Sequence, residues 1–431
     1  MPRIMTGELA EHAGEQVRLA GWVHHQRHLA RVSFLLLRDA SGIGQVVIDD
    51  EALRASATTL LPETVVEIEG TVVASPQAPG GFELHSPVIV VIAEPFQAPP
   101  FELRRLELNA QLPSLLDHAA VALRHPRIRA PFSISAASLA GFRSTLDAMA
   151  FTEIQTPKIV GVATESGANV FSLDYFGRTA FLAQSPQLYK QMMVGVFERV
   201  YETGPVFRAE PHDTVRHLAE YVSLDVELGF IQDHRDVELV LRSVLAGMVS
   251  TIRERAGKAV ELLGVELPRV PDEIPRIDFR DAQLLIEAAT GQRIVGEPDL
   301  APAHERWLGE WAAAHHGSDF LLVEGYPMVK RPFYTHPDPD RPELSNSFDL
   351  LFRGLELATG GQRLHRYADY LEVMDEPARA ALDGYLEAFR HGLPPHGGFA
   401  IGLERWTARL VGAPNVRQVT LFPRDTHRLS P

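Results

Sequence analysis

The 431-residue chain contains no cysteine. That excludes disulfides, a thiolate nucleophile and any cysteine-ligated zinc or iron–sulfur centre. It also has no apolar run approaching the ~20 residues needed to cross a bilayer. The opening segment, "MPRIMTGELAEHAGEQ", has no apolar heart of the signal-peptide kind, so a cytoplasmic protein is expected. Positive charge is in deficit: 41 Lys and Arg stand against 56 Asp and Glu, a formal net charge of −15. This argues against a general polyanion binder and leaves room for a local basic surface. What is present is ordinary for a globular protein, 45% hydrophobic and 23% charged, in a chain long enough for two or three domains.

Residues 1–95 read as short strands. "QVRLAGWVHHQRH" and "VSFLLLRDASGIGQVVIDD" alternate around a Ser-Gly turn, and "TVVEIEGTVVAS" and "FELHSPVIVVIAE" follow. About five β segments in so short a stretch predict a small closed barrel of the OB type. "PFQAPPFE" is a Pro-rich boundary. The expected organisation is a barrel domain over 1–98, a linker over 99–130 and a second domain over 131–431. In that second domain a helix ends near Phe151, "FTEIQTPKIV" is extended, and "DVELVLRSVLAGMVSTIRERAGKAVELLG" is one amphipathic helix. There is no regular βα alternation, so the expected class is α+β.

Four stretches carry chemistry. In "FRAEPHDTVRHLAEY" (207–221), Arg208 and Glu210 at i and i+2 on a strand share one face. A guanidinium fits phosphate oxygens, Arg216 and His217 extend from the loop tip, and Tyr221 offers a ring to a flat base. A salt-bridged surface hairpin is the bland alternative. "HGGFAIGLERW" (396–406) turns from glycines, which allow close backbone approach to a ligand, into a helix with Glu404 and Arg405. It is not a GxxxxGK[ST] loop. In "FDLLFRGLELATGGQRLHRY" (348–367), Glu356 and Thr359 offer an acid and a hydroxyl for Mg²⁺, or Glu356 simply pairs with an arginine. In "AQSPQLYKQMM" (183–193), Ser185 reads as an N-cap and Lys190 follows; a solvated surface lysine is the alternative.

In this order the stretches resemble a class II aminoacyl-tRNA synthetase: "FRAE" its motif 2, "GLER" its motif 3, and the helix before "FTEIQTPKIV" its dimer-forming motif 1. Together with "QSPQLYKQ", "VSLDVE" and "GLELATGGQRLH" they resemble the aspartyl-tRNA synthetases of the shorter archaeal and eukaryotic type. The resemblance spans the chain. It implies an OB-fold anticodon-binding domain, a catalytic domain with an antiparallel sheet flanked by helices, a homodimer, and ATP, Mg²⁺, L-aspartate and tRNA-Asp as ligands. Carried over residue by residue, it places Arg208, Glu210, Arg216, His217, Leu218, Tyr221, Glu356, Gly402 and Arg405 at ATP, with Arg208, Glu356 and Arg405 catalytic. Glu356 and Thr359 would hold the metal. Glu165, Ser185, Gln187, Lys190, Arg208, Asp225, Thr359 and Arg363 would hold aspartate, with Lys190 and Arg363 reading its side-chain carboxylate. Two buried cations there favour aspartate over asparagine, because a buried unpaired charge is costly.

On the barrel the resemblance points to Phe34 as a ring that stacks on an anticodon base, beside Arg27 and Gln45; barrel core is the competing reading of Phe34. The sequence departs from the usual pattern at His28, where many members have Asp, and at Pro76. Such positions differ in family members that also charge tRNA-Asn, so a non-discriminating enzyme is a further expectation. The additional domain of most bacterial members is expected to be absent. The alternatives are an asparaginyl-tRNA synthetase and a non-catalytic nucleic-acid-binding paralogue. A paralogue would have no use for a complete ATP site.

Overall fold

A computed structural model of the chain describes residues 3–162 and 170–430. The chain divides into two compact units, residues 1–128 and 129–431. The expected linker, 99–130, therefore falls almost wholly within the first.

In the first unit, strands β1 (Gln16–His28), β2 (Ser33–Arg38), β3 (Ile43–Ile48), β4 (Val65–Ala74) and β5 (Phe82–Ala93) close into a barrel in the order β1-β2-β3-β5-β4. Alternation sets the faces: Leu19, Leu35, Leu37, Val46, Ile48, Val66 and Ile68 are buried in its core, and Phe34, between Ser33 and Leu35, is turned outward and half-buried. The barrel has a buried ion pair, Arg38 to Glu63, made by two hydrogen bonds of 2.9 and 2.8 Å. Arg124 adds a third contact to Glu63 at 2.7 Å. The chain before residue 151 folds as three helices, Leu112–Asp117, Ala119–Ala122 and Pro126–Ala148, the last ending three residues before Phe151. His118, the residue between the first two, has a non-helical backbone, and Pro126 opens the third, where the missing N–H costs least.

In the second unit the short strands β6 (Thr152–Glu153), β7 (Ile159–Val160), β8 (Ser172–Tyr175) and β9 (Arg178–Leu182) precede β10 (Arg199–Phe207) and β11 (Glu220–Gly229). β12 (Arg276–Asp278), β13 (Phe320–Glu324), β14 (Ser347–Phe352), β15 (Leu355–Arg363) and β16 (His396–Gly402) complete the set. Eight of them form one sheet in the order β12-β13-β14-β15-β16-β11-β10-β6; β7, β9 and β8 make a small separate sheet. The large sheet is not purely antiparallel, as expected, but mixed: β6 runs parallel to β10 and β12 parallel to β13. Both parallel pairs sit at the sheet's edges, and each is joined by a connection long enough for a crossover. The amphipathic stretch after residue 233 is two helices, His234–Arg255 and Gly257–Leu263, broken at Ala256.

The three central strands sort their residues by parity. Leu224, Val226 and Leu228 of β11, Phe399 and Ile401 of β16 and Ala358 of β15 join the main apolar core. The intervening residues face the other way, in register. Ser223 lies opposite Gly402, Asp225 opposite Ala400 and then Thr359, and Glu227 opposite Gly398 and then Gly361. A sheet face with this much polarity, held between apolar neighbours, needs either ligands or internal partners.

Candidate active site

One cavity of about 330 Å³ opens on that polar face. Its lining includes all nine residues expected at ATP: Arg208, Glu210, Arg216, His217, Leu218, Tyr221, Glu356, Gly402 and Arg405. Arg208–Glu210 was expected on a strand. The strand instead ends at Phe207, and the pair begins the loop to β11, so the shared face comes from loop geometry rather than pleat. Arg208 and Glu210 approach to 3.7 Å, Arg216 and Glu305 to 3.7 Å, His217 and Glu210 to 3.4 Å, and Arg405 and Glu356 to 3.6 Å. All exceed a charge-assisted hydrogen bond. The Arg208 guanidinium lies 5.7 Å from the Tyr221 ring centre.

Glu356 and Thr359 are three apart in β15, a spacing that normally points side chains to opposite faces. A bulge resolves this. Leu351 pairs with Glu356 and Leu350 with Ala358, so Leu357 is the extra residue. Leu357 and Ala358 both pack into the core, and Glu356 and Thr359 both line the cavity. A bulge re-aiming a side chain at a site is a common use of this irregularity. The Glu356 carboxyl is pushed up to about 7, first by loss of bulk water and then by the Asp349 charge; Glu305 adds to the push, while Arg405 and Arg331 oppose it. The side chain keeps 41% of its surface open to the cavity, so cavity water tempers the effect. An oxygen-only donor set of this kind, with Glu356 open to the cavity, fits a hard divalent cation.

Beside this cavity lies a buried four-charge cluster. Lys190 Nζ donates to Asp225 Oδ1 at 3.0 Å and lies 3.3 Å from Glu227 Oε2. Arg363 Nε donates to Glu227 Oε1 at 3.1 Å, and its Nη2 to Gly398 O at 3.0 Å. None of the four side chains is more than 8% exposed. Lys190 is thus not a solvated surface lysine. Ser223 links the cluster to the cavity it lines, its hydroxyl donating to Asp225 Oδ2 at 2.5 Å.

Glu227 is the functional residue that sequence reasoning did not single out. The signal was present as two acids at i and i+2 in "VSLDVE". Glu227 also bears on specificity: the protein itself supplies two carboxylates to its two buried cations, so Lys190 and Arg363 do not by themselves select aspartate over asparagine. Arginine and acid hold each other in the charged state; the Glu227 carboxyl stays below its usual range against the push of burial, chiefly through Arg363 and Lys190. His396, fully buried beneath, is driven down to about 4 by burial. Its Nδ1–H donates to Pro394 O at 2.9 Å, which leaves Nε2 to accept from the Gln191 amide at 3.1 Å.

The glycines were expected to let backbone approach a ligand. Gly398 serves a different end, since a Cβ there would stand 2.0 Å from Val226 O and 2.2 Å from Glu227 Oε2. Likewise a Cβ on Gly361 would meet Ser347 Cβ at 2.6 Å. These two make room for the protein's own packing. Gly402 alone of the three opens on the cavity, with nothing nearer than the Arg405 side chain at 3.8 Å. Glu404, next to Arg405, accepts from Val222 N–H with both oxygens at 3.1 Å and so ties the helix Leu403–Val411 to β11.

Ser185 is not the N-cap of the helix Gln187–Phe197; Pro186 is, with no side-chain cap. A proline there needs no donor of its own. Ser185 Oγ still accepts from Gln187 N–H at 3.3 Å, and Gln187 is buried with its amide nitrogen unpartnered. Glu165 lies outside the described residues.

On the barrel, Arg27 and Phe34 are cross-strand partners, with the guanidinium 5.0 Å from the ring centre. Gln45 donates to Glu83 at 2.7 Å one row away. His28 points to the opposite side of β1, its Nδ1 2.9 Å from the Ser33 hydroxyl, and Pro76 is exposed in the turn between β4 and β5. The structure therefore groups Arg27 with Phe34 and keeps His28 apart, because adjacent strand residues alternate.

A family model described as tRNA synthetases class II (D, K and N) matches residues 112–426. A second, described as OB-fold nucleic acid binding domain, matches residues 17–92. The chain is 47% identical over 431 residues to a protein of Thermus thermophilus named aspartate–tRNA(Asp/Asn) ligase, with 100% of each covered. It is 47% identical to a protein of the same name from Deinococcus radiodurans, covering 100% of this chain and 99% of the other. Among solved structures, asparaginyl-tRNA synthetase from Pyrococcus horikoshii, complexed with asparaginyl-adenylate, matches with a TM-score of 0.92 at 31% identity, both chains covered in full.

Proposed function

The chain belongs to the class II tRNA synthetases of the D, K and N group, and from that membership we propose that it is an aspartate–tRNA ligase. It activates L-aspartate with ATP and passes the aspartyl group to tRNA-Asp, and to tRNA-Asn as well. The observation that carries this reading is the shared sheet face: an open cavity lined by partly exposed charged side chains, joined through Ser223 to a closed charge cluster. The open part suits a polyphosphate and a base, and the cluster walls it on the side where a small zwitterion would sit. The choice of aspartate, and the second tRNA, rest on the named relatives at 47% identity, since the two buried cations are already matched within the protein.

In this reading an oxygen of the aspartate α-carboxylate attacks the α-phosphorus, a P–O bond forms, and pyrophosphate leaves with the electrons of the bond that breaks. Arg208 binds the α-phosphate and orients the attacking carboxylate. Arg405 takes the γ-phosphate, Glu210 the adenine amino group, and Tyr221 the adenine face, with Arg216, His217, Leu218 and Gly402 closing the site. Fixed cations aimed at developing charge are worth most in a site already shaped for it. Glu356, helped by Thr359, is our assignment for Mg²⁺, which when bound supplies charge neutralisation to the phosphates. Ser185, Gln187, Asp225 and Glu165 hold the α-ammonium side of aspartate, with Lys190 and Arg363 at its other end. Residues 1–98 bind the anticodon through Arg27, Phe34 and Gln45, with His28 and Pro76 at the margins; 99–130 connect to the catalytic domain at 131–431. We assign the protein to the cytoplasm as a homodimer; no helix among the described residues is long and apolar enough to cross a membrane.

The test is ATP–pyrophosphate exchange with aspartate or asparagine, followed by charging of separated tRNA-Asp and tRNA-Asn. Exchange driven by aspartate and charging of both tRNAs are expected. Exchange driven by asparagine alone would make it an asparaginyl enzyme. Absence of exchange would return it to a nucleic-acid-binding paralogue, and no charging of tRNA-Asn above background would limit it to tRNA-Asp.

A further inference from the structure

Away from the cavity, His234, Glu238 and Glu324 converge. His234 begins the helix His234–Arg255, Glu238 follows one turn later on the same face, and Glu324 ends β13. His234 Nδ1–H donates to the side-chain oxygen of Asn346, and the Asn346 amide in turn donates to Gln362. This orients the ring with Nε2 facing inward, toward Glu238 and Glu324. Nε2 has no hydrogen-bond partner, nor has Glu238 Oε1. The side chains of His234 and Glu238 are 10% and 4% exposed. Nε2 stands 3.7 Å from Glu238 Oε1 and 3.6 Å from Glu324 Oε2.

Those separations decide between two arrangements. A proton on Nε2 would draw a carboxylate to about 2.7–2.9 Å. Two ligand atoms held about 2.1 Å from a tetrahedral cation stand roughly 3.4 Å apart, close to what is seen. Arg276 faces the other oxygens: its Nη2 donates to Glu238 Oε2 at 3.4 Å, and its Nε lies 3.2 Å from Glu324 Oε1 without a hydrogen bond. The ligating oxygens are thereby turned toward His234, as outer-shell groups do at metal centres. Two acids meet one arginine here, so a bound cation would add to the countercharge.

We propose that His234 Nε2, Glu238 Oε1 and Glu324 Oε2 form a binding site for a divalent transition-metal cation of the Zn²⁺ class, separate from the Mg²⁺ assigned to Glu356. One imidazole with two carboxylates suits such an ion, and a water completes four-coordination. The site pins the start of the helix His234–Arg255 to the end of β13.

The test is a Co²⁺ titration of the full chain, stripped by chelator and kept without ATP in excess Mg²⁺, so that oxygen-only sites are filled. One Co²⁺ per chain with visible absorption of four-coordinate type, displaced by Zn²⁺, is expected. His234→Gln and Glu238→Gln should each abolish the band with circular dichroism unchanged, and Zn²⁺ should raise the melting temperature of the wild type but not of His234→Gln. A wild-type protein that takes up no Co²⁺ in excess Mg²⁺ overturns the proposal, as does a His234→Gln variant that keeps the band. The wild-type titration decides the matter even if a variant fails to fold.

Discussion

The closed charge cluster and the open cavity use the same residue types to opposite effect. In the cluster, Lys190, Asp225, Glu227 and Arg363 meet at 3.0–3.3 Å with almost no exposure. In the cavity, Arg208, Glu210, Arg216, His217, Arg405 and Glu356 meet at 3.4–3.7 Å, with 23–41% of each side chain exposed. Buried pairs must be complete, because a charge left over in a low dielectric costs several kcal/mol. Exposed pairs at such distances are worth ~1 kcal/mol or less. They can be exchanged for phosphate at little cost. The first arrangement fixes a shape, and the second keeps its charged groups partly exposed to the cavity.

This contrast can be broken in a defined order. The largest effect is expected from Lys190→Met, which leaves two buried carboxylates against one arginine. Aspartate activation should be lost and stability should fall by roughly 3–5 kcal/mol, read from urea unfolding; a variant as stable as the wild type would show that the cluster is not a closed unit. Next, Arg208→Ala should lower ATP–pyrophosphate exchange by about 10²–10³-fold while the melting temperature stays put. A large loss of stability there would erase the distinction between the two regions.

Smaller is Phe34→Ala on the barrel. A stacked base is worth about 1–3 kcal/mol, so kcat/KM for tRNA should drop between several-fold and about a hundredfold, with exchange untouched. If charging is unaffected, the outward ring has no part in tRNA binding.

The smallest effect is in pH. The Glu356 carboxyl is raised to about 7, so the folded protein holds a proton that the unfolded chain releases near ~4.3. The stability this gives is present below that value and is lost as pH rises to about 7. Activity should move the other way, rising a few-fold through about 7 as the carboxylate forms. Glu404, raised to about 7 by burial, titrates in the same window but accepts a backbone N–H. Raising Mg²⁺ should therefore shift the activity limb to lower pH only through Glu356. A limb that ignores Mg²⁺ would remove Glu356 from the metal site.

Much of this was legible in the chain itself. Strand alternation marked the barrel but left Phe34 open between core and surface; the structure turns it outward, with Leu35 and Leu37 in the core. The order of "FRAE", "GLELATGG" and "GLER" named the residues that line one cavity. Three things were not legible. The bulge at Leu357 is a matter of register between strands, and only it brings Glu356 and Thr359 to one face. The role of Gly398 depends on Glu227, far away in sequence, whose oxygen occupies the space of a Cβ. The pairing of Lys190 and Arg363 with Glu227 likewise joins a helix and two strands. The sequence by itself determined which residue types are available and, wherever no bulge intervenes, which of them share a strand face, because parity is a local property. The tertiary structure alone decided which charges meet in the interior and which stay exposed in a cavity, because that depends on what packs across the sheet.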